Sequence, residues 1–234
     1  MSEVAPHVLL LEKLMDVLGL VDKHGHSLVP QHILYTWLVM LILICLAWFG
    51  TRRLSMVPRG LQNFWEIIVG GMEDFVYSNM GPSGARVFPL LMTIFIFILF
   101  CNFIGLFPGC NAPTANLNTN AAMALTVFVW YNILGLKEHG AKYIKHFTGP
   151  IAWLMPLMLP IEILSHLARP LSLTVRLFGN IFGEELVLLL FFMLLPVIAT
   201  LPIYFLYGLA DTIQAFIFFM LSMIYFKMTF EEAH

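Results

Sequence analysis

Charge is scarce in this sequence. Only 11% of its 234 residues are Asp, Glu, Lys or Arg, against about 25% in an ordinary soluble domain. The 12 basic and 14 acidic residues leave a net charge of −2, which excludes a basic nucleic-acid-binding surface. Cysteine is scarce too. Cys45, Cys101 and Cys110 lack the spacing of a metal site or a disulfide framework, and two of them lie in apolar runs. A basic leader is missing: Glu3, Glu12, Lys13 and Asp16 interrupt Met1–Leu20, which reads as a short amphipathic segment outside the membrane rather than a cleavable signal. No internal repeat is visible, which weighs against the inverted-repeat transporter folds. What fills the chain instead is apolar: 60% hydrophobic residues, 21 Phe and 14 Met, with a mean hydropathy of +0.87. The chain is expected to be an integral membrane protein, and its Phe and Met richness to be lipid-facing packing rather than a cofactor site.

The gaps between charges draw the map. Lys23 to Arg52 leaves 28 residues without Asp, Glu, Lys or Arg, and Arg86 to Lys137 leaves 50. A polar patch from Pro108 to Asn120 divides the second gap into Phe88–Phe107 and Ala121–Leu136. Further on, 25 residues separate Glu185 from Asp211, and 15 separate Asp211 from Lys227. A helix crosses a bilayer in about 20 residues, so these runs predict an all-α fold with five crossings, the last two long. Gly60–Met80 differs: Leu61, Phe64, Trp65, Ile68, Met72, Phe75 and Val76 recur at helical spacing opposite Gln62, Glu66, Gly70 and Glu73. That pattern predicts an amphipathic helix lying in the membrane interface, with a helix packed across the other spans as the alternative.

Loop charges set the orientation. Arg52, Arg53, Arg59 and Arg86 fall between the first and second crossings, and Lys137, Lys142 and Lys145 follow the third, whereas the Pro108–Asn120 loop carries no charge. By the positive-inside rule the N-terminal segment, residues 1–29, is expected outside and the C-terminus inside.

Residues 151–195 are anomalous. As one helix they would measure about 67 Å, against a hydrocarbon core of about 30 Å. Either Pro156, Pro160 or Pro170 breaks the helix, or it is strongly tilted. It carries Glu162, His166, Arg169, Arg176, Glu184 and Glu185, and the next helix adds Asp211. A charge at the bilayer centre costs about 2.5–3.5 kcal/mol on insertion scales, so such groups point first to an ion path. At 100° per residue Glu162, Ser165, Arg169, Ser172, Arg176, Asn180 and Gly183 form one stripe, while Glu185 falls on the opposite face from Arg176. Tyr207, Asp211 and Gln214 share a face of the last helix. Gly179 and Gly183 form a G-x-x-x-G step beside Arg176, where a partner helix, in this chain or another, could approach.

The run Pro170-Leu171-Ser172-Leu173-Thr174-Val175-Arg176-Leu177-Phe178-Gly179-Asn180, followed by Glu185-Leu186, resembles the signature of subunit a of F-type ATP synthases. Gln214-Ala215-Phe216-Ile217-Phe218 is similar to the last helix of that family, and the resemblance covers roughly residues 30–230. It implies a membrane stator subunit without an ATP-hydrolysing site of its own and without a metal or cofactor. Its implied partners are the ring of c subunits and the peripheral-stalk b subunits, and its implied location a bacterial inner membrane. By the resemblance Arg176 faces the rotating ring. Glu185 and Gln214, with Asn180 beside them, line an outer half-channel, and Glu162 stands on an inner exit path. Ser172 and His166 complete the candidate set. Two outer-channel positions that vary in the family are Glu184 and Tyr207 here. Where some members carry histidine at the second, this chain does not, and Asp211 is a candidate to replace it.

The residues read alone suit that arrangement. An arginine is permanently charged and cannot relay a proton, but it can attract a deprotonated carboxylate on a passing partner and block a direct leak. Two other classes compete: a stand-alone channel or secondary transporter that coordinates its ion within this chain, and a purely structural membrane scaffold.

Overall fold

In a computed structural model the described residues are 30–52, 60–107, 110–140, 155–194 and 200–231. The expected external segment 1–29, Lys142 and Lys145 of the basic loop, and most of the turn after the long helix lie outside them. Six α-helices follow in order: α1 Gln31–Thr51, α2 Leu61–Met80, α3 Gly84–Gly105, α4 Leu117–His139, α5 Met155–Leu194 and α6 Thr200–Glu231. Short 3-10 turns at Gly81–Ser83 and Pro113–Ala115 precede α3 and α4. Among the described residues there is no strand.

Local chemistry explains the boundaries. Gly60 and Gly81 flank α2 with positive φ of 62° each, and Gly140 ends α4 at φ 55°, a conformation that costs glycine no Cβ clash. The Gly140 N–H then satisfies the Leu136 carbonyl at 2.9 Å. Asn116 caps the start of α4, its side-chain oxygen accepting from the Asn118 N–H at 2.9 Å. Lys137 and His139 stand in the last turn of the same helix, where its dipole favours positive charge.

Four stretches are long and apolar enough to cross a membrane: Gln31–Thr51, Gln62–Gly105, Leu117–His139 and Leu201–Phe230. The second joins α2 to α3. The charged α5 is not among them, yet at 40 residues it measures about 60 Å, twice the hydrocarbon thickness of about 30 Å. It runs unbroken through Pro160 and Pro170, so of the two expectations for this segment the broken helix is the one that fails. A membrane helix tolerates proline where its surroundings accommodate the one backbone donor that each proline removes.

Hydrogen bonds fix which helix ends lie together. At one end Asn111 of the loop before α4 donates to Gln31 of α1 at 3.3 Å. At the other, Arg86 at the start of α3 pairs with Glu138 at the end of α4, and His139 Nε2 contacts the Thr229 carbonyl of α6 at 2.8 Å. Among the described residues, the first contact joins two amides and the second end brings together Arg86, Glu138 and His139.

The core lies between α3, α4, α5 and α6. Leu91, Phe95 and Ile98 meet Ala124, Val127 and Tyr131, then Leu173, Leu177 and Ile181, then Phe219, Met223 and Phe226. Each set recurs at three- and four-residue steps, one stripe per helix. Phe95 and Phe219 pack edge to face at 5.8 Å, a favoured aromatic geometry. Lipid tails are as apolar as leucine, so van der Waals fit and buried polar contacts hold these helices together rather than water exclusion. The stripe of α2 joins this core through Val76, with Ile68, Met72 and Phe75 half-buried against it, while Phe64 stays exposed. α1 is peripheral: Tyr35 and Val39 are buried, and Trp37, Leu41, Ile44, Trp48 and Phe49 face outward.

Candidate ion-translocation site

The end of the bundle where Asn111 meets Gln31 is threaded by polar side chains. Asp211, in the first half of α6, is 2% exposed. Asn102 of α3 donates to its backbone carbonyl at 3.4 Å. The Thr114 hydroxyl in turn donates to Asn102 Oδ1 at 2.7 Å, and Asn120 Nδ2 to the Thr114 carbonyl at 2.7 Å. This ladder ties α3, the Pro113–Ala115 turn, α4 and α6 into one unit. Buried polar groups are stabilised by such bonds, although the Asn120 side-chain oxygen has no partner among the described residues.

Across from Asp211 stands Glu184 of α5, and both carboxyls line the same small cavity. Asn180, one turn earlier on α5, donates to Glu184 Oε1 at 2.7 Å. Asp211 Oδ1 and the Tyr207 hydroxyl are buried without hydrogen-bond partners among the described residues. Both residues line a cavity of about 40 Å³ shared with Asn102, Glu184, Glu185 and Tyr204. A water needs at least roughly 10–15 Å³, so the cavity is large enough to admit water. Glu185 also lines a larger cavity of about 420 Å³, with Gln31, His32, Asn111 and Asn116. The two cavities have Ala112 and Glu185 in common.

Arg176 lies two turns before Glu184 and points elsewhere. It is exposed and makes no ion pair or hydrogen bond among the described residues. It is close enough to Tyr225 of α6 to act on it electrostatically. Ser172, Gly179 and Phe182 are exposed on the same side of α5, and a Cβ added at Gly179 or Gly183 would meet no atom within 4 Å. The G-x-x-x-G step thus packs against no described helix of this chain. The opposite side, Leu173, Leu177 and Ile181, is buried. Gln214 is buried on α6, three residues past Asp211.

Toward the basic end, His166 is buried, with Nε2 3.3 Å from Asn132 Oδ1 of α4. Its ring packs edge-on to Tyr131 at 5.4 Å. Arg169 lies over the rings of Tyr131 and Tyr225, 6.0 and 5.5 Å from their centroids, a cation–π arrangement. Glu162 is half-buried one turn earlier. No group of three metal-ligating side chains occurs among the described residues.

The structure therefore brings Glu184, Asp211 and Asn180 together, sets Glu185 beside them, and holds Arg176 and Ser172 on a separate face. Glu184, the acid that the spacing left at an intermediate angle, lines the same small cavity as Asp211. Sequence reasoning passed over Thr114, Asn120, Tyr204 and the amides around Gln31. Their signal was present: amides and hydroxyls are the main polar groups within the long charge-free run, and in lipid such groups cluster.

An all-helical membrane bundle with two carboxyls on one small cavity, a buried amide ladder and an outward guanidinium, unpaired among the described residues, is a membrane protein organised around intramembrane ionisable groups. Comparison with known proteins specifies it further. The family described as ATP synthase A chain matches residues 33–227. The chain is 56% identical to ATP synthase subunit a of Solidesulfovibrio magneticus over 233 residues, 98% of each chain. It is 53% identical to that of Oleidesulfovibrio alaskensis over 234 residues, 100% of each, and 49% identical to that of Syntrophobacter fumaroxidans, with 97% of this chain and 98% of the other covered. The chain belongs to the ATP synthase subunit a family.

Proposed function

We propose that this chain is the stator ion-channel subunit of a rotary ATP synthase in a bacterial inner membrane, working with a c-subunit ring and peripheral-stalk b subunits. The observation that carries the reading is Arg176: a permanent charge, exposed and unpaired among the described residues, on a face of α5 that no described helix covers. A solitary guanidinium facing lipid is costly, so a carboxylate supplied by another subunit is its natural partner.

The path is divided around that cation. The polar cluster of Glu184, Glu185, Asp211 and Asn180, with Gln214 next on α6, forms the outer route. Glu162, with His166 and Ser172 nearby, forms the inner one. A ring carboxyl arrives from lipid neutral and gives its proton to one route. It passes Arg176 as a carboxylate, takes a proton from the other route, and re-enters lipid neutral. Because a guanidinium holds its protons, protons do not cross directly between the routes, and flux requires ring rotation. Each proton moved through 100 mV contributes about 2.3 kcal/mol. In this reading residues 151–230 are the translocating hairpin, α2 (within 60–80) lies at the inner interface, the N-terminus is outside and the C-terminus inside. A transporter acting alone is disfavoured because Arg176 is coordinated by nothing described within the chain.

The test is ATP-driven proton pumping by the whole complex in liposomes, wild type against Arg176→Ala, with passive leak measured alongside. The expected result is loss of pumping in an assembled complex with leak unchanged or raised. Normal pumping by the assembled variant would overturn the reading.

A further inference from the structure

The outer route needs a port, because Asp211 is buried and Glu184 half-buried. The larger cavity that meets Glu185 is built where the start of α1 packs against the loop before α4. Its polar lining is Gln31, His32, Asn111, Asn116 and Glu185. Two cross-links hold it in shape: Asn111 Nδ2 to Gln31 Oε1 at 3.3 Å, and Asn116 Nδ2 to His32 Nδ1 at 3.3 Å. With the amide as donor, the Nδ1 atom accepts and the neutral ring carries its proton on Nε2. The same Asn116 caps α4 through its side-chain oxygen, so the amide that orients the imidazole is itself fixed.

His32 also borders a second cavity of about 390 Å³, with Thr36, Phe97, Asn118 and Thr119. Among the described residues Glu185 is the one other titratable group lining either cavity. α3 presents Phe97 there, and the loop and the start of α4 present amides and hydroxyls as their polar groups. An oriented imidazole and one carboxyl lining the same polar space, wide enough for water, is the chemistry of a proton acceptor and donor at a channel mouth.

The geometry points to a port between the start of α1 and residues 111–116, in which His32 collects protons and hands them to Glu185. In the synthesis direction the Asn116 amide gives up its bond to His32 Nδ1, that atom takes a proton from water, and the imidazolium releases its Nε2 proton toward the Glu185 carboxylate. In pumping the transfer runs in reverse. No bond other than to hydrogen changes. The inference rests on the outer route proposed above and adds its entrance, on a helix that otherwise contributes little to the core.

Two variants test it in the assembled complex. In the first, His32→Cys is placed in a background with Cys45, Cys101 and Cys110 replaced by Ala, labelled with a cationic methanethiosulfonate, and reconstituted. In the second, His32→Gln is measured for pumping and synthesis as the pH on the port side is varied. We expect labelling to cut proton flux several-fold relative to the same His32→Cys variant left unlabelled, with the labelled cysteine-free background unaffected. We expect His32→Gln to lower flux and flatten its dependence on port-side pH. Full flux after labelling would overturn the port, and an unchanged pH profile in His32→Gln would overturn the role of the imidazole. Glu185→Gln separates this idea from its foundation. If that variant conducts normally, the outer route itself fails; if it is impaired while both His32 variants behave as wild type, only the present inference falls.

Discussion

Asp211 and Asn102 do different work within one cluster, and substitution should separate them. Asp211→Asn keeps the shape of the side chain but removes its titrating proton. If protons pass through the cavity it shares with Glu184, flux should fall at least about ten-fold, since a positioned proton-transfer group contributes roughly 10²–10⁴ in rate, while assembly persists. Liposome pumping with a parallel assembly assay measures this. Asn102→Leu attacks the scaffold instead. It strands the Thr114 hydroxyl, which donates to Asn102 at 2.7 Å, and removes the bond that ties α3 to the Asp211 backbone. Leaving a buried polar group unpaired costs about 1–3 kcal/mol, so the detergent-solubilised subunit should unfold at lower temperature. The identity of these groups was legible in the sequence, since Asp211, Glu184 and Arg176 stand out in apolar runs. Their partners were not. Spacing along one helix says which residues share its face, but not that Asn102, 109 positions away, meets Asp211, or that Asn132 meets His166.

Helices α3 and α5 differ in what their glycines do. A Cβ at Gly105 would come within 2.6 Å of the Ala112 Cβ, so Gly105 lets the loop before α4 fold back over the end of α3, beside the cavity of Asp211. Overpacking of this kind costs about 1–3 kcal/mol. Gly105→Ala should lower thermal stability of the isolated subunit and slow proton flux. At Gly179 the same addition meets nothing in this chain. Gly179→Leu should leave the isolated subunit as stable as wild type yet impair ATP-driven pumping, because the obstruction would be felt by the ring. A variant equally harmful in both assays would show that Gly179 packs within its own subunit. At this scale charge gaps located α1, α3 and α4 to within a few residues but not the charged α5, because a charge within the hydrocarbon is costly and runs that avoid it stand out. The continuity of α5 was not readable in the same way. Proline removes one backbone donor in any helix, and only the surroundings decide whether the helix bends or breaks.

Across the whole molecule, amides gather at one end and basic residues at the other, and α1 stands mostly apart from the four-helix core. The positive-inside rule then predicts His234 on the cytoplasmic side and Asn111 on the outer side. Single cysteines at these positions, in the cysteine-free background and intact cells, should react with an impermeant maleimide only at position 111. Reaction at 234 alone would invert the topology and exchange the two routes.

If the rotor passes along the Arg176 face of α5, cross-linking will show it most directly. Gly179→Cys in the cysteine-free subunit is paired with a cysteine on the outer helix of the ring beside its carboxylate, in the assembled complex under mild oxidation. The expected product is a disulfide between the two subunits that stops ATP-driven pumping and is reversed by reductant. No such product is expected from a cysteine placed at Leu177, on the buried side of the same helix. Cross-linking from Leu177 and none from Gly179 would contradict this assignment and turn the rotor face of the subunit elsewhere.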